Sequence, residues 1–421
     1  MTHLSTPQAR TPGCPIVHGR RFNPLDPVVA ADPYPWLRAA HSEAPVFYMP
    51  EHDAWCVTRY DDVLSVLRDT TTYSSRKVIR FAQLAPEFEQ AFADGPPDRV
   101  LVSTDPPEHT RLRKLAQKGF TPKLIASRED EVRDLANALI DGFVDRGRCD
   151  LVSEFAEHLP VQAITHLVGA PIERTGDFAR WAFDRIAMLA GGPQLSREER
   201  LEISQRVLDF NNWLYEFVEE RRADPKDDLT SGLVHAETDD GQPALSTGEV
   251  VTMIGTFLSA GTSTTAHFIP MLVRELLRRP GLWERIRGDS ELIARAVEEG
   301  LRHRTSVHGV TRTTTRDVML GGVEIPAGSD LYVHYAAAQR DAAVFVDPDT
   351  FNLDRENVKQ HFAFGKWTHI CLGAPLARLE TRVTLECFAA RMPDMRLVPD
   401  QPEEWVPHLL TPGLTSLLIV W

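Results

Sequence analysis

The spacing of apolar residues changes several times along the chain and divides it into helical and strand-like parts. From about residue 105 to 300, apolar residues recur every three or four positions, which is typical of amphipathic helices. Shorter runs at 44–60 and 310–335 predict strands, and turn residues such as Gly321-Gly322 separate them. The patterns therefore predict a mainly α fold with a small β region.

The clearest predicted element is a long helix that begins at Ser246. Ser246 and Glu249 have the spacing of a capping box, in which each side chain accepts a hydrogen bond from the other residue's backbone N–H group. The helical pattern continues to about Arg279 and ends before Pro280, so the helix is long enough to cross a whole domain. Another long helix is predicted directly after Gly373.

The chain shows neither an internal repeat nor an interdomain linker. We predict one domain over 31–421, after an irregular lead-in over 1–30 that is rich in proline and glycine. A net charge of −14 argues against nucleic-acid binding. No apolar stretch resembles a signal peptide or a membrane span, so we expect a cytoplasmic protein without a membrane anchor. The five cysteines are too scattered for a zinc site, an iron–sulfur cluster or a disulfide framework.

Cys371 lies in the segment FGKWTHICLG, and a lone cysteine of this kind is most often a buried core residue. Here it directly precedes a predicted helix, where free backbone N–H groups and the helix dipole stabilise a thiolate. Gly365 and Gly373 allow the backbone to approach a flat group, and Phe364 can shield the sulfur. A single anionic sulfur without a second protein ligand suits a haem iron.

Acidic and basic side chains three residues apart lie in the segment EEGLR. Glu299 and Arg302 share one helical face there, and taken alone they fit a solvent-exposed ion pair. Arg355 follows a Pro-Asp turn further along the chain. In the long helix, the small residues at 259–265 indicate either close helix packing or a group that approaches the helix, because Gly261 costs about 1 kcal/mol of helix propensity relative to alanine.

Basic residues occupy two faces of the helix predicted in DPPEHTRLRKLAQKGF. His109 and Arg113 are one turn apart and can bind one anion together. The opposite face carries Arg111, Lys114 and Lys118, which taken alone fit a solvated basic surface.

These five segments, in this order and over nearly the whole chain, resemble the motifs of the bacterial soluble cytochromes P450. FGKWTHICLG resembles the cysteine loop, AGTSTT the distal helix motif and DPPEHTRLRK the haem-propionate helix. Glu299 and Arg302 resemble the Glu-x-x-Arg pair, and Arg355 completes its structural triad. The resemblance implies a triangular prism with a long distal helix that crosses the domain, and it implies a haem b cofactor.

Carried over to this sequence, the resemblance implies a role for each matched residue. Cys371 is the axial thiolate, and Thr264 is the distal alcohol that assists dioxygen binding and proton delivery. The ligands of the haem propionates are His109, Arg113, Arg312 and His369. The implied reaction is monooxygenation, in which one oxygen atom of dioxygen enters an organic substrate by hydroxylation or O-dealkylation.

Ser263 occupies the position where the family usually has a carboxylate before the threonine. A carboxylate exchanges protons with solvent, whereas a serine can only relay them. Three alternatives to the usual route stay open: another acid acts through water, the enzyme uses hydrogen peroxide, or the protein binds haem without catalysing a reaction. Ser263 and Thr264 are the candidate catalytic residues.

Trp367 stands where the cysteine loop of the family usually has glycine. Glycine at that position would allow a left-handed backbone, and this conformation costs another residue about 1–2 kcal/mol. The loop is therefore either rebuilt or strained. The ring is expected against the haem edge, towards the sulfur, or on the surface where a partner docks.

The helix face that carries Thr264 is expected to form one wall of a substrate pocket. The chain after the Glu-x-x-Arg helix and the segment 74–84 are expected to complete it. The predicted pocket residues are Thr256, Ser259, Ala260, Val307, His308 and Arg80. The arginine favours a carboxylated substrate, unless its segment is a solvated loop, and we expect a small or medium-sized apolar or aromatic molecule.

Electrons are expected from a separate ferredoxin and ferredoxin reductase. On an acidic protein, a local basic surface attracts a small acidic ferredoxin, and high salt is then expected to weaken turnover. The candidate surface consists of Arg111, Lys114, Lys118 and Lys366.

Overall fold

The computed structural model describes residues 13–78, 84–88, 101–189, 195–238 and 240–421, and it is mainly helical with small sheets, as predicted. The α-helices are α1 Pro27–Ala31, α2 Tyr34–Glu43, α3 Tyr60–Arg68, α4 Glu108–Ala116, α5 Pro122–Ala126, α6 Glu129–Asp141, α7 Leu159–Val168, α8 Thr175–Ala187, α9 Arg197–Ala223, α10 Leu229–Val234, α11 Thr247–Leu277, α12 Leu282–Ile286, α13 Ser290–His303, α14 Tyr335–Ala338 and α15 Ala374–Arg391. The strands are β1 Ile16–Val17, β2 Arg20–Arg21, β3 Val46–Met49, β4 Ala54–Val57, β5 Tyr73–Ser74, β6 Arg148–Asp150, β7 Gly309–Thr314, β8 Val318–Leu320, β9 Val323–Ile325, β10 Asp330–His334, β11 Arg396–Leu397, β12 Trp405–Val406, β13 Gly413–Leu414 and β14 Leu418–Val420.

Helix α11 is the long central element that the sequence predicts. A capping box begins it, because the Glu249 N–H donates to the Ser246 hydroxyl at 3.2 Å and the Ser246 N–H donates to the Glu249 carboxylate at 2.8 Å. The helix ends at Leu277, two residues before the predicted end. Most of its side chains are buried, since it packs against α7, α8, α9 and α15.

The β region is built mainly around one five-stranded sheet with the order β3-β4-β10-β7-β5. Strands β4 and β10 run parallel, with Cys56 opposite Tyr332, whereas the other pairs of this sheet are antiparallel. The predicted turn at Gly321-Gly322 joins β8 to β9, and both glycines adopt a positive φ. The strands predicted at 44–60 and 310–335 are therefore confirmed.

The lead-in over 1–30, predicted as irregular, contains secondary structure in its described part. Strands β1 and β2 pair as a hairpin, with Ile16 opposite Arg21. The Asp26 carboxylate accepts from the N–H of Val28 at 2.8 Å and caps α1. The expectation is corrected for these residues, because elements of two to five residues are too short to show a periodic pattern.

Apolar side chains of α11 and the helices around it form one continuous core. A second apolar cluster joins α2 to β3 and β4. Within the ranges that the structure describes, no helix combines the length and the apolar character needed to cross a membrane. The central helix is thus held on most sides, which fixes the position of its partly open face.

Candidate functional site

Cys371 lies at the N-terminal end of α15, where the chain leaves the cysteine loop. Its sulfur accepts hydrogen bonds from the backbone N–H groups of Gly373 and Ala374. Its own N–H donates to the Phe364 carbonyl at 2.8 Å. The residue is exposed on one side, while the surrounding protein raises the pKa of the thiol by desolvation. The two N–H groups and the nearby Arg113 act in the opposite direction, because they favour a negative sulfur.

Phe364 and Gly365 shape the loop before the cysteine. Gly365 adopts a φ of 64°, and its N–H donates to the Phe362 carbonyl at 2.7 Å. Phe364 is half-buried, and the Arg378 guanidinium lies 4.5 Å from its ring centroid. The motif therefore folds into a tight turn that ends at the first turn of α15.

The four side chains predicted to bind haem propionates come together from three elements. His109 of α4 is 1% exposed, and its ring centroid lies 4.3 Å from that of His369 in the cysteine loop. Arg312 of β7 is buried and donates to a backbone carbonyl of its own strand at 2.7 Å. Arg113 of α4 donates to a carbonyl of the cysteine loop at 2.7 Å.

The electrostatics of this cluster point to an anionic ligand. Burial, and then the charge of Arg113, lower the pKa of His109 to about 4. Burial, and then Arg312, lower the pKa of His369 to about 3. In the described part of the chain, Nε2 of His109 has no hydrogen-bond partner. A buried nitrogen without a partner, beside two arginines, fits a carboxylate, so the donor set fits the propionates of haem.

Helix α11 has a partly open face on an otherwise buried helix. Ala260 is exposed, and Thr256 and Thr264, one turn to either side, are partly exposed. The Thr264 hydroxyl donates to the Ala260 carbonyl at 2.9 Å. Ser259 and Ser263 are buried, and their hydroxyls donate to the carbonyls four residues back at 2.8 and 3.3 Å. Ser259 and Ser263 therefore do not share the open face with Thr264.

Gly261 is explained by close helix packing. A Cβ atom at this position would lie 3.0 Å from Cγ1 of Ile164 on α7, which is tighter than ordinary van der Waals contact. Of the two explanations that the sequence leaves open for the small residues of α11, the structure thus supports the first at this position.

Glu380 of α15 is a candidate functional residue that sequence reasoning misses. It is 1% exposed, and among the described residues neither carboxyl oxygen has a partner with hydrogen-bonding geometry. Burial raises its pKa well above the ordinary range, and Thr265 of α11 acts in the opposite direction. Burial therefore favours the protonated, uncharged form of this carboxyl. A clue was available, because Glu380 falls in the apolar stripe between Leu376 and Val383.

Glu299, Arg302 and Arg355 form a buried ion cluster. Arg302 donates to both Glu299 oxygens at 2.8 and 2.7 Å, and Nε of Arg355 lies 3.2 Å from each of them. The three side chains are at most 5% exposed. The alternative of a solvent-exposed pair is therefore wrong, and the cluster ties α13 to the chain that leads to the cysteine loop.

The remaining pocket predictions differ in their placement. Val307 is half-buried and packs against an apolar cluster of the β region. His308 is buried, with its ring 6.0 Å from that of His334, and burial lowers its pKa well below the ordinary value. Arg80 lies outside the described residues. A contribution of these side chains to a pocket stays a prediction.

Trp367 adopts a φ of 60°, the left-handed conformation that the family's glycine would reach freely. The loop is therefore strained at this residue, by about 1–2 kcal/mol, rather than rebuilt. The residue is 52% exposed, and the Arg68 guanidinium of α3 lies 5.5 Å from the ring centroid. Of the three placements left open by the sequence, the surface position agrees with this exposure.

The predicted basic surface is smaller than expected. Arg111 forms an ion pair with Glu249 at the start of α11. Lys366 is half-buried, its amine lies 5.3 Å from the centroid of an aromatic ring, and burial lowers its pKa. Lys114 and Lys118 are exposed. Arg111 is therefore partly neutralised by its ion pair, and Lys366 is less accessible to a partner than the sequence predicts.

Comparisons with known proteins extend these observations. The family model "Cytochrome P450" matches residues 183–391. Cytochrome P450 107B1 of Saccharopolyspora erythraea is 35% identical over 375 residues, which is 87% of this chain and 88% of the relative. Mycinamicin IV hydroxylase/epoxidase of Micromonospora griseorubida is 35% identical over 407 residues, which is 95% of this chain and 98% of the relative. The solved structure of cytochrome P450 CREJ in complex with (4-ethylphenyl) dihydrogen phosphate has a TM-score of 0.87 and 30% identity, and covers 95% of this chain and 99% of its own.

A helical fold around one long central helix, with a cysteine at a helix N-terminus, is the arrangement of haem-thiolate proteins. Sequence identity of 35% over most of both chains shows the family, and the chain belongs to the cytochrome P450 family. It is an oxidoreductase of that family, whose relatives include hydroxylases.

Proposed function

We propose that this cytochrome P450 holds haem b through Cys371 and inserts one oxygen atom of dioxygen into an organic substrate, by hydroxylation or O-dealkylation. The observation that carries the proposal is an exposed sulfur at a helix N-terminus, together with a cluster of two arginines and two histidines in which one buried nitrogen lacks a partner among the described residues. When bound, haem supplies the redox chemistry that activates dioxygen. Binding, orientation and proton supply are the work of the chain itself.

Backbone and side chains divide the task of holding the cofactor. The N–H groups of Gly373 and Ala374 stabilise negative charge on the Cys371 sulfur. Two arginines would supply positive charge to the two propionates, and the buried Nε2 of His109 would gain the partner that it lacks among the described residues. The proposed propionate donors are His109, Arg113, Arg312 and His369.

Proton supply is assigned to Thr264 and Glu380. The Ser263 hydroxyl is fully buried and donates to the Ser259 carbonyl, so it does not reach the open face of α11. The Thr264 hydroxyl holds its proton against the Ala260 carbonyl, and a rotation about χ1 would turn that proton towards a ligand. Glu380, whose pKa burial raises well above the ordinary range, is the proposed store of a transferable proton next to the same turn of α11.

The proposed substrate is a small or medium-sized apolar or aromatic molecule, and an anionic group is compatible with it. The exposed Ala260 leaves room on the open face of α11. The CREJ complex contains an aromatic molecule with an anionic phosphate, at 30% identity to this chain. The test is the change in haem absorbance on adding 4-ethylbenzoate or the uncharged 1,4-diethylbenzene. A larger absorbance change with the benzoate than with the uncharged molecule, lost in Arg80→Gln, would support a cationic anchor for the substrate. Equal absorbance changes with the two molecules would argue against such an anchor.

The proposed electron source is a separate ferredoxin with its reductase. A peroxide-driven reaction is the second candidate, and the observation that favours it is a buried serine, Ser263, in the place of a carboxylate. Product formation with ferredoxin, reductase and NADPH is compared with product formation from hydrogen peroxide. Faster product formation with the electron carriers supports monooxygenation. If product forms with peroxide but not with the electron carriers, the monooxygenase proposal is overturned in favour of the second candidate.

The haem-thiolate assignment has a spectroscopic test. In the reduced holoenzyme, carbon monoxide is expected to give the strongly red-shifted main absorbance band of a thiolate-ligated haem, and Cys371→Ser is expected to lose it. Cys14→Ser is the matched control, because Cys14 is a half-buried thiol in another part of the fold. Retention of the band in Cys371→Ser, or its absence from the wild type, would contradict the assignment.

A further inference from the structure

We propose that Trp367 is the apolar anchor on which an acidic iron–sulfur ferredoxin docks. This inference rests on the proposed function, since it names the surface that receives the electron donor. It also changes the sequence-based expectation, because most of the affinity then comes from short-range contact and not from the basic residues of α4.

Two apolar side chains of the cysteine loop are exposed together. Trp367 is 52% exposed and Ile370, three residues later, is 45% exposed. In the described ranges, Trp367 is the one tryptophan among the exposed large apolar side chains, and all of the others except Ile370 lie in other parts of the fold. Tryptophan is among the residue types most enriched where binding energy concentrates, so this pair is a natural centre for an interface.

An exposed arginine lies beside that centre. Arg68 lies over the Trp367 ring at 5.5 Å, whereas Arg113, a proposed propionate donor, is half-buried and donates to the Ile370 carbonyl at 2.7 Å. The arginine on the ring restricts its orientation before a partner arrives, which lowers the entropic cost of binding. An apolar centre with an exposed cation beside it complements a partner with an apolar patch among acidic groups.

Long-range attraction cannot supply the affinity for such a partner. The protein has a net charge of −14, so an acidic ferredoxin is repelled except close to local cations. Two of the predicted cations are also occupied, since Arg111 is paired with Glu249 and Lys366 is half-buried. We therefore expect binding with a shallow dependence on salt and a strong dependence on the tryptophan.

The position of the patch identifies the occupant as an electron donor. The Ile370 N–H donates to the Trp367 carbonyl at 3.2 Å, and Ile370 is bonded directly to Cys371. The backbone of Trp367 is therefore joined to Cys371 through one hydrogen bond and the intervening residue Ile370, so a partner seated on this loop lies close in sequence and structure to the thiolate. A second copy of this chain would gain nothing from that proximity.

The backbone conformation of Trp367 allows a variant that removes the ring without adding strain. Trp367 has a φ of 60°, which glycine adopts without strain, so Trp367→Gly removes the ring and relieves the backbone together. That variant is expected to fold at least as well as the wild type. Trp367→Ala removes the ring but keeps the strained backbone, and the two variants together separate the ring from the conformation.

The test measures reduction of the ferric holoenzyme by a plant-type [2Fe–2S] ferredoxin, used in its reduced form over a concentration series under carbon monoxide in a stopped-flow instrument. The apparent Kd is expected to rise at least tenfold in both Trp367 variants, at low and at high salt. Reduction by dithionite and the haem reduction potential are expected to stay unchanged. Lys114→Ala and Lys118→Ala are expected to change Kd less than twofold, and Met319→Ala, an exposed apolar control, is expected to leave it unchanged.

Several outcomes would overturn the inference. One is a wild-type Kd in both Trp367 variants, and another is a larger effect from the lysines. A shifted potential with unchanged Kd would make the ring a modulator of haem, and a change from dimer to monomer in Trp367→Ala would make the patch a self-association surface. If dithionite but not ferredoxin reduces the wild type, and the red-shifted band forms, docking fails while the haem-thiolate assignment stands.

Discussion

Glu380 is the buried side chain proposed to supply the proton that a carboxylate at position 263 would supply. Burial raises its pKa well above the ordinary range, and Thr265, the residue after Thr264, is its neighbour on α11. Glu380→Gln keeps the shape and removes the transferable proton. We expect product formation with ferredoxin and reductase to fall about a hundredfold, the lower end of the effect of a general acid, with an increased solvent isotope effect.

Two comparisons make this prediction specific. Glu356→Gln changes an exposed glutamate in the same half of the chain and is expected to have no effect on the rate. With hydrogen peroxide, which brings its own protons, Glu380→Gln is expected to resemble the wild type. An unaltered ferredoxin-driven rate in Glu380→Gln would show that proton supply uses another group.

At this scale, the sequence predicts side chains that belong to a recognisable motif and misses those defined by their surroundings. Cys371 belongs to such a motif. For Trp367 the sequence leaves three placements of the ring and either a strained or a rebuilt backbone, and the structure decides between them. Whether Ser263 is buried depends on which face of α11 meets α7 and α9, so the residue type alone does not reveal it. The raised pKa of Glu380 likewise depends on its burial in the folded chain.

The contact between α13 and the chain before the cysteine loop depends on one carboxylate. Glu299 accepts from Arg302, Arg355 and the backbone N–H of Asn352. Glu299→Gln leaves two buried guanidinium groups without a full counter-charge, so we expect the holoenzyme to lose about 3–5 kcal/mol of unfolding free energy. Urea unfolding followed by haem absorbance measures this loss.

The same helix supplies the matched control. Glu291 and Arg295 form an ion pair at 2.8 Å on the solvent side of α13, with the glutamate 75% exposed. Glu291→Gln is expected to cost less than about 1 kcal/mol, because exposed pairs contribute little. Equal losses in the two variants would mean that the buried cluster contributes no more than a surface pair.

Elements with a strong local pattern were predictable, and so was the contact of Glu299 with Arg302 and Arg355, whereas the backbone contacts of that cluster were not. The capping box and length of α11 follow from the sequence to within two residues. The Glu299 cluster also involves carbonyls of the chain near Thr350, to which Arg302 and Arg355 both donate. Those acceptors depend on the path of an irregular segment, which has no periodicity to recognise.

Two properties of the whole molecule, the distribution of charge and the burial of histidines, cannot be read from any single motif. Net charge is visible in the composition, yet the pairing of Arg111 with Glu249 decides how much of the local positive charge a partner meets. Buried histidines act at the same scale, because their effect on stability is a property of the complete fold. Among them are His334 and His408, and the half-buried His267 behaves in the same way.

Burial lowers the pKa of His267 and His408 to about 4 and that of His334 to about 3. A histidine in the unfolded chain titrates near about 6.5, so below that pH the unfolded state binds protons that the folded state refuses. The stabilising contribution is therefore complete above about pH 6.5. It is lost progressively as pH falls towards the folded values, and the free energy of unfolding is expected to decrease across that window.

His408→Asn tests the share of one histidine. Nδ1 of His408 accepts from the N–H groups of Leu410 and Thr411 at 3.0 and 3.1 Å, and the asparagine oxygen can replace that acceptor without titrating. Urea unfolding of the holoenzyme between pH 7 and 4.5 is expected to show a slope reduced by up to one proton, about 1.4 kcal/mol per pH unit. His18→Asn, at an exposed histidine, should keep the wild-type slope. An unchanged slope in His408→Asn would mean that His408 takes up its proton in the folded state as readily as in the unfolded chain.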